Sequence, residues 1–337
     1  MASDKKHIAG SIPVVLALIG NLIITLMKFA GFFVSGSGAL FAEAVHSLAD
    51  TLNQSLLLVG LKSSQRRADE EFSYGYGKER FIFALISACG IFFLGAGVTI
   101  YHGIEILLEG EVVRISPMIF AILFVSLLLE GSTFFAAVQE LRVRYPRKKL
   151  KEIMRYGDPA TIAVVYEDGV AVIGVVIALV SIALTQATRS AVWDALGSLT
   201  IGSLLALVAV ALIRRNRRYL IGVSIPDATE KRVIEIIEAD PAIDRVLDFK
   251  SSILDINTYH VKCEVEFNGS ALMKDITETD NLKQQFETTC VDYEGFLRFL
   301  VDYSGRIPRL MGLRIDEIEK RVQKELPEIR HIDIEIN

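Results

Sequence analysis

Residues 12–61 read IPVVLALIGNLIITLMKFAGFFVSGSGALFAEAVHSLADTLNQSLLLVGL, two apolar stretches, 12–34 and 37–61, parted only by Ser35 and Gly36. A helix needs about 20 predominantly apolar residues to cross the hydrocarbon core of a bilayer. Both stretches are long enough, so the chain begins with a pair of membrane spans joined by a tight turn. The short basic stretch Lys5 and Lys6 leads into an apolar run longer than the core of a secretory signal, which reads as a retained span.

The same criterion finds spans at 81–108, 117–139, 160–185 and 191–213. The expected architecture is an α-helical polytopic membrane protein, with residues 1–218 forming a six-helix transmembrane domain. Lys5, Lys6, Lys62, Arg66, Arg67, Lys78 and Arg80 flank one side, together with Arg142 to Arg155 and Arg214 to Arg218, whereas the opposite loops hold Arg114 and Arg189. Basic loops stay in the cytoplasm, so both termini are expected there, most simply in the cell (inner) membrane. The composition agrees: 51% of the 337 residues are hydrophobic, too many for an ordinary soluble globule. The formal net charge of -5 gives no reason to expect a nucleic-acid partner, and no enzyme chemistry is expected. Cys89, Cys263 and Cys290 are widely spaced, which excludes a disulfide framework and a cysteine-based zinc site.

After Arg218 soluble patterns take over. A helix is expected near 227–238, strands near 245–254 and 259–267, a helix near 315–325 and a last strand at 331–336. Tyr259, Val261, Cys263, Val265 and Phe267 alternate with polar residues, the period of a strand with one buried face. Residues 219–337 therefore form a cytoplasmic α+β domain, with an insertion at about 268–311. His260, Glu264, His331 and Asp333 fall on polar strand faces as a candidate secondary metal site.

The membrane interior holds the chemistry. A charge near the bilayer centre costs about 2.5–3.5 kcal/mol even on lenient scales, so each such residue needs a reason. Glu43, His46 and Asp50, at spacings of three and four, share one helical face. Glu167 and Asp168 lie in the fifth span. At about 1.5 Å per residue, His46, Asp50 and Asp168 reach similar depths near the midplane. Imidazole nitrogen with carboxylate oxygens suits Zn2+, with Mn2+, Co2+ or Fe2+ also compatible, as transported ion rather than resident cofactor. A lone pair cannot hold metal and proton together, so metal entry should expel protons. Lys28 and Glu43 are expected to pair, as structure or as a gate. Glu130, Asn21, Asn53 and Gln54 line the path or, the favoured reading, bind neighbouring helices, and Asp194 reads as the cap of its own span. Gly95, Thr99 and Gly103, and Ser198, Gly202 and Ala206, form small-residue stripes that favour close helix packing.

Ser35-Gly-Ser-Gly-Ala-Leu-Phe-Ala-Glu-Ala-Val-His-Ser-Leu-Ala-Asp50 and Tyr74-Gly-Tyr-Gly-Lys-Glu-Arg80 resemble the cation diffusion facilitator family of metal transporters. The resemblance implies a doublet in span two, here His46 and Asp50, facing a second doublet in span five. That second doublet departs from the family pattern, since Val164 stands four residues before Asp168 where a ligand is usual. Glu167 could substitute, although neighbours on a helix point about 100° apart, and Glu43 one turn away is the other source of a ligand. The Glu-Asp doublet resembles a divergent branch that includes an organellar zinc carrier of animals. The resemblance further implies a homodimer, a ferredoxin-like tail contacting its twin, and metal/proton antiport that exports cytosolic metal. A passive channel or uniporter, or a metal-sensing membrane scaffold, are the alternatives.

Overall fold

The computed structural model describes residues 4–110, 116–144, 159–255, 258–272, 274 and 282–337. The chain divides into two compact units, one made of residues 1–63 and 79–217, the other of 64–78 and 218–337.

The first unit is a helix bundle: α1 Asp4–Ser35, α2 Gly38–Ser64, α3 Glu79–Glu109, α4 Pro117–Arg144, α5 Pro159–Thr188 and α6 Val192–Ile221. Among the described residues, α1, α3, α4, α5 and α6 are long and apolar enough to cross a membrane. α2 is 27 residues long but less apolar, because Glu43, His46, Asp50, Asn53 and Gln54 dilute it. A helix of this composition survives in a bilayer by turning its polar face into the bundle. Glu43, His46 and Ser47 are indeed buried, while Leu52, Leu57 and Val59 are exposed. Large apolar side chains such as Phe33, Phe93, Leu108 and Phe135 likewise point out of the bundle, as lipid contact requires.

The bundle core is built of small and medium residues, among them Ala39, Ala42, Ala49, Ala96, Ala178, Ala209, Val175 and Leu205. With lipid as apolar as leucine, helices associate through close packing rather than a hydrophobic drive. The two small-residue stripes meet: Ser198 Oγ donates to the Thr99 carbonyl at 3.1 Å, and a side chain at Gly202 would strike Ile100 and Thr99. α3 contains a π-helical segment, Ile91–Gly97, between its two α-helical parts.

The second unit is an α+β domain: α7 Asp227–Glu238, β1 Ile243–Asp255, β2 Thr258–Phe267, α8 Leu282–Thr289, α9 Tyr293–Glu325 and β3 Ile329–Ile336. The sheet order is β1-β2-β3, with β1 antiparallel and β3 parallel to β2. Val261, Cys263 and Val265 on the central strand are fully buried against Val233, Ile237, Ile318 and Val322, as the strand's alternation predicts. Apolar burial also pushes the Cys263 thiol pKa up to about 12. α9 begins well before the helix expected at 315–325. Asp292 starts it, its carboxylate accepting from the Gly295 amide at 2.7 Å, so much of the expected insertion is the first half of one long helix.

Residues 64–78, which link α2 to α3, pack with this domain. The Asp69 carboxylate accepts from the Tyr76 hydroxyl at 2.6 Å, and that bond, with help from the Phe72 and Glu71 amides, holds its pKa below the usual range. The Arg66 guanidinium lies 3.8 Å from the Tyr76 ring centre. A side chain at Gly77 would run into the Leu254 carbonyl, which requires glycine where the segment crosses the end of β1.

Candidate metal centre

α2 carries the central pair. His46 Nε2 lies 3.5 Å from Asp50 Oδ2, across one helical turn. His46 is 4% exposed, and neither ring nitrogen has a hydrogen-bond partner among the described residues. Buried polar atoms in native proteins nearly always find a partner, so an orphaned imidazole is the mark of a group kept for another purpose.

On α5, a chain of hydrogen bonds holds Glu167. Ser87 Oγ on α3 donates to Asn53 Oδ1 at 2.8 Å, and Asn53 Nδ2 donates to Glu167 Oε1 at 2.7 Å. Asn53 is thus a positioning residue: it clamps α2 to α5 and turns Glu167 toward the α2 face that carries Asp50. Asp168 follows, close enough for His46 and Asp50 to share its electrostatic field. The side chain of Val164 lies outside the described residues.

Glu43 is engaged elsewhere. Its Oε2 accepts from Lys28 Nζ at 2.9 Å, so the expected pair is present, and Lys28 also donates to Ser47 Oγ at 2.8 Å and Glu130 Oε1 at 2.7 Å. Glu130, expected to bind a neighbouring helix, does so through Lys28 of α1 and is part of an ionic cluster. Its sequence signal was simply a carboxylate alone in a fourth apolar span, which is costly enough to need a partner.

Asp194 also departs from expectation. α6 starts at Val192, and the Asp194 carboxylate caps a different helix: it accepts from Ser37 Oγ at 2.6 Å, Gly38 N at 2.5 Å and Ala39 N at 3.2 Å. The Gly38 and Ala39 donors are the otherwise unpaired first amides of α2. The close approach of α2 to α6 lets a neighbouring helix satisfy them, and the helix bearing His46 and Asp50 is pinned at its start.

Among the described residues, no three His, Cys, Asp or Glu side chains converge closely enough to hold a metal ion. In the bundle, the candidate pair His46 and Asp50 stands side by side without a third such side chain converging on it among the described residues. In the tail, His260 Nε2 pairs with Asp333 Oδ2 at 2.8 Å, the His260 and His331 rings lie 6.4 Å apart with the Tyr74 ring 5.0 Å from each, and Glu264 lies beside Glu335. Burial and the nearby His260 hold the His331 pKa below the usual histidine value.

Residues 14–221 match the model of the cation efflux transmembrane domain. The chain belongs to the cation efflux family. That family is one of cation transporters. Among curated relatives of this cation efflux protein, the human mitochondrial proton-coupled zinc antiporter SLC30A9 is 35% identical over 96% of the chain, and metal tolerance protein C4 of Arabidopsis thaliana is 34% identical over 96%. The magnetosome protein MamM of Magnetospirillum gryphiswaldense is 23% identical over 69%. The chain spans 58% of the length of the human relative and 72% of the plant one.

Proposed function

We propose that this cation efflux protein exchanges Zn2+ for protons, carrying the metal on His46 and Asp50 of α2 and Asp168 and Glu167 of α5. The orphaned, buried His46 imidazole beside Asp50 carries the reading. Neutral imidazole is a strong zinc ligand, and carboxylates complete an oxygen and nitrogen set that selects Zn2+ over hard ions. Because the ligands must be deprotonated to bind metal, occupancy by metal and by protons exclude one another, which couples the two fluxes. The human relative bears the name of a proton-coupled zinc antiporter, in keeping with this.

Asn53 and Ser87 set the position of Glu167, and Asp194 sets the position of α2. Closing α5 onto α2 would bring Asp168 and Glu167 to the His46–Asp50 pair; Glu43 joins only if its bond to Lys28 opens. In this reading both termini are cytoplasmic, as the basic loops favour, and metal leaves from that side. The working unit is a homodimer whose tails contact each other.

The experiment is Zn2+ flux in proteoliposomes under pH gradients of both signs. Asp50→Ala and Asp168→Ala should each abolish it, and reversing the gradient should reverse its direction. Full flux in either variant overturns the ligand assignment; flux indifferent to the gradient replaces exchange with passive conduction.

A further inference from the structure

Lys28, Glu43 and Glu130 stand outside that ligand set, yet they form an ionic cluster enclosed in the bundle one turn from His46. The Lys28 ammonium is fully buried and meets three acceptors, Glu43 Oε2, Ser47 Oγ and Glu130 Oε1, at 2.7–2.9 Å. Three oxygens from α2 and α4 around one positive centre is also how a small metal ion is held.

Two further observations show that the ammonium does not exhaust this cage. Glu43 Oε1 and Glu130 Oε2 are both buried and have no hydrogen-bond partner among the described residues. Two carboxylates face one ammonium, so the cluster carries surplus negative charge unless something else neutralises it. On α5, any side chain at Gly174 would collide with Glu43 Oε1, so glycine there is what leaves room for that oxygen. Glu130 also acts electrostatically on Asp50 and Asp168, which places the cluster in the same field as the transport pair.

The geometry points to Glu43, Glu130 and Ser47 as a second divalent-cation subsite, held closed by the Lys28 ammonium acting as a tethered gate. Its donors are all oxygen, the set preferred by hard ions such as Mn2+, Mg2+ and Ca2+, in contrast to the imidazole-containing pair beside it. Lys28 therefore does two things. It keeps hard ions from lodging next to the transport pair, and it denies a resting place to a metal ion moving from His46 and Asp50 toward the Gly36 end of α2. The gate takes its place in the path from the exchange reading, but the subsite does not depend on that reading.

The test uses the full-length protein in detergent with Mn2+ as the probe and metal per chain as the readout. In an Asp50→Ala, Asp168→Ala background, adding Lys28→Met should raise bound Mn2+ from none to one per chain, and further adding Glu43→Gln and Glu130→Gln should return it to none. Folded Lys28→Met protein that binds no Mn2+ overturns the subsite. Should Lys28→Met fold only when Mn2+ is supplied, metal has replaced the ammonium and the subsite stands. If it fails to fold with or without Mn2+, while the variant with both glutamines folds, the carboxylates cannot accept metal and the subsite falls. In the otherwise unaltered chain, Lys28→Met should lower the kcat for Zn2+ flux at least tenfold while lowering KM; unchanged flux removes the gate. Loss of transport on Asp50→Ala is scored separately, so the two readings fail independently.

Discussion

Asp194→Ala tests how the helix that carries His46 and Asp50 is held. The substitution strips the α2 N-terminus of a carboxylate that takes hydrogen bonds from Ser37 Oγ, Gly38 N and Ala39 N, at a residue with no exposed surface. Ser37 Oγ also accepts from the Leu40 amide at 3.2 Å, so part of the cap survives. The Gly38 and Ala39 amides do not recover, and each buried unsatisfied donor costs about 1–3 kcal/mol. Losing a negative charge from a buried helix N-terminus adds up to about 2 kcal/mol. Together the loss is about 2–8 kcal/mol. For a unit of this size, about 2–4 °C per kcal/mol translates it into a melting shift of at least about 4 °C. Asp194→Asn keeps an acceptor oxygen and should fall by about half as much. Thermal denaturation in nanodiscs, read by loss of the monodisperse gel-filtration peak, measures both, with the lipid-side Ser203→Ala as control. Zn2+ flux should fall with Asp194→Ala although no ligand is touched. A variant melting within 2 °C of the unaltered protein would refute the cap as what fixes α2.

The other expectations concern both units. Asn53→Ala should lower Zn2+ affinity about tenfold or more, because Glu167 loses its 2.7 Å tether; an unchanged KM for flux rejects the positioning role. Gly202→Leu should destabilise the bundle by overpacking α3 against α6, about 1–3 kcal/mol, seen as a lower melting temperature, whereas Gly131→Leu, with open space around it, should not. The His331 pKa lies below the usual 6.5, so the folded tail binds fewer protons than the unfolded chain in that range. Its contribution to stability is therefore complete above pH 6.5 and is lost as pH falls through the lowered value. Amide exchange along β3, corrected for intrinsic rate, should be faster at pH 5.5 than at pH 7.5, and the difference should vanish in His331→Ala. Cys263, buried and with its thiol pKa near 12, should resist alkylation at pH 8 while Cys290 reacts; equal labelling would mean that the sheet opens freely.

The six helices, the three strands and the His46–Asp50 pair were all legible in the sequence, because each rests on a short-range signal. An apolar run of bilayer length, a period of two in Tyr259 to Phe267 and a spacing of four in α2 are each settled by the residues concerned. The partners of Asp194, Asn53 and Glu130 were not legible. Asp194 has the position of a cap for its own helix, and only the approach of α2 to α6 puts Ser37, Gly38 and Ala39 nearer to it. Asn53 and Glu130 are polar residues in apolar spans, and sequence says that such residues need partners without saying which. The segment from Tyr74 to Arg80 could be matched to a family by its letters, but its packing against β1 and around His260 and His331 depends on contacts between residues some 180 or more apart. Pattern fixes what one element buries; the choice among several neighbours, each able to satisfy the same buried group, is made only when the elements pack.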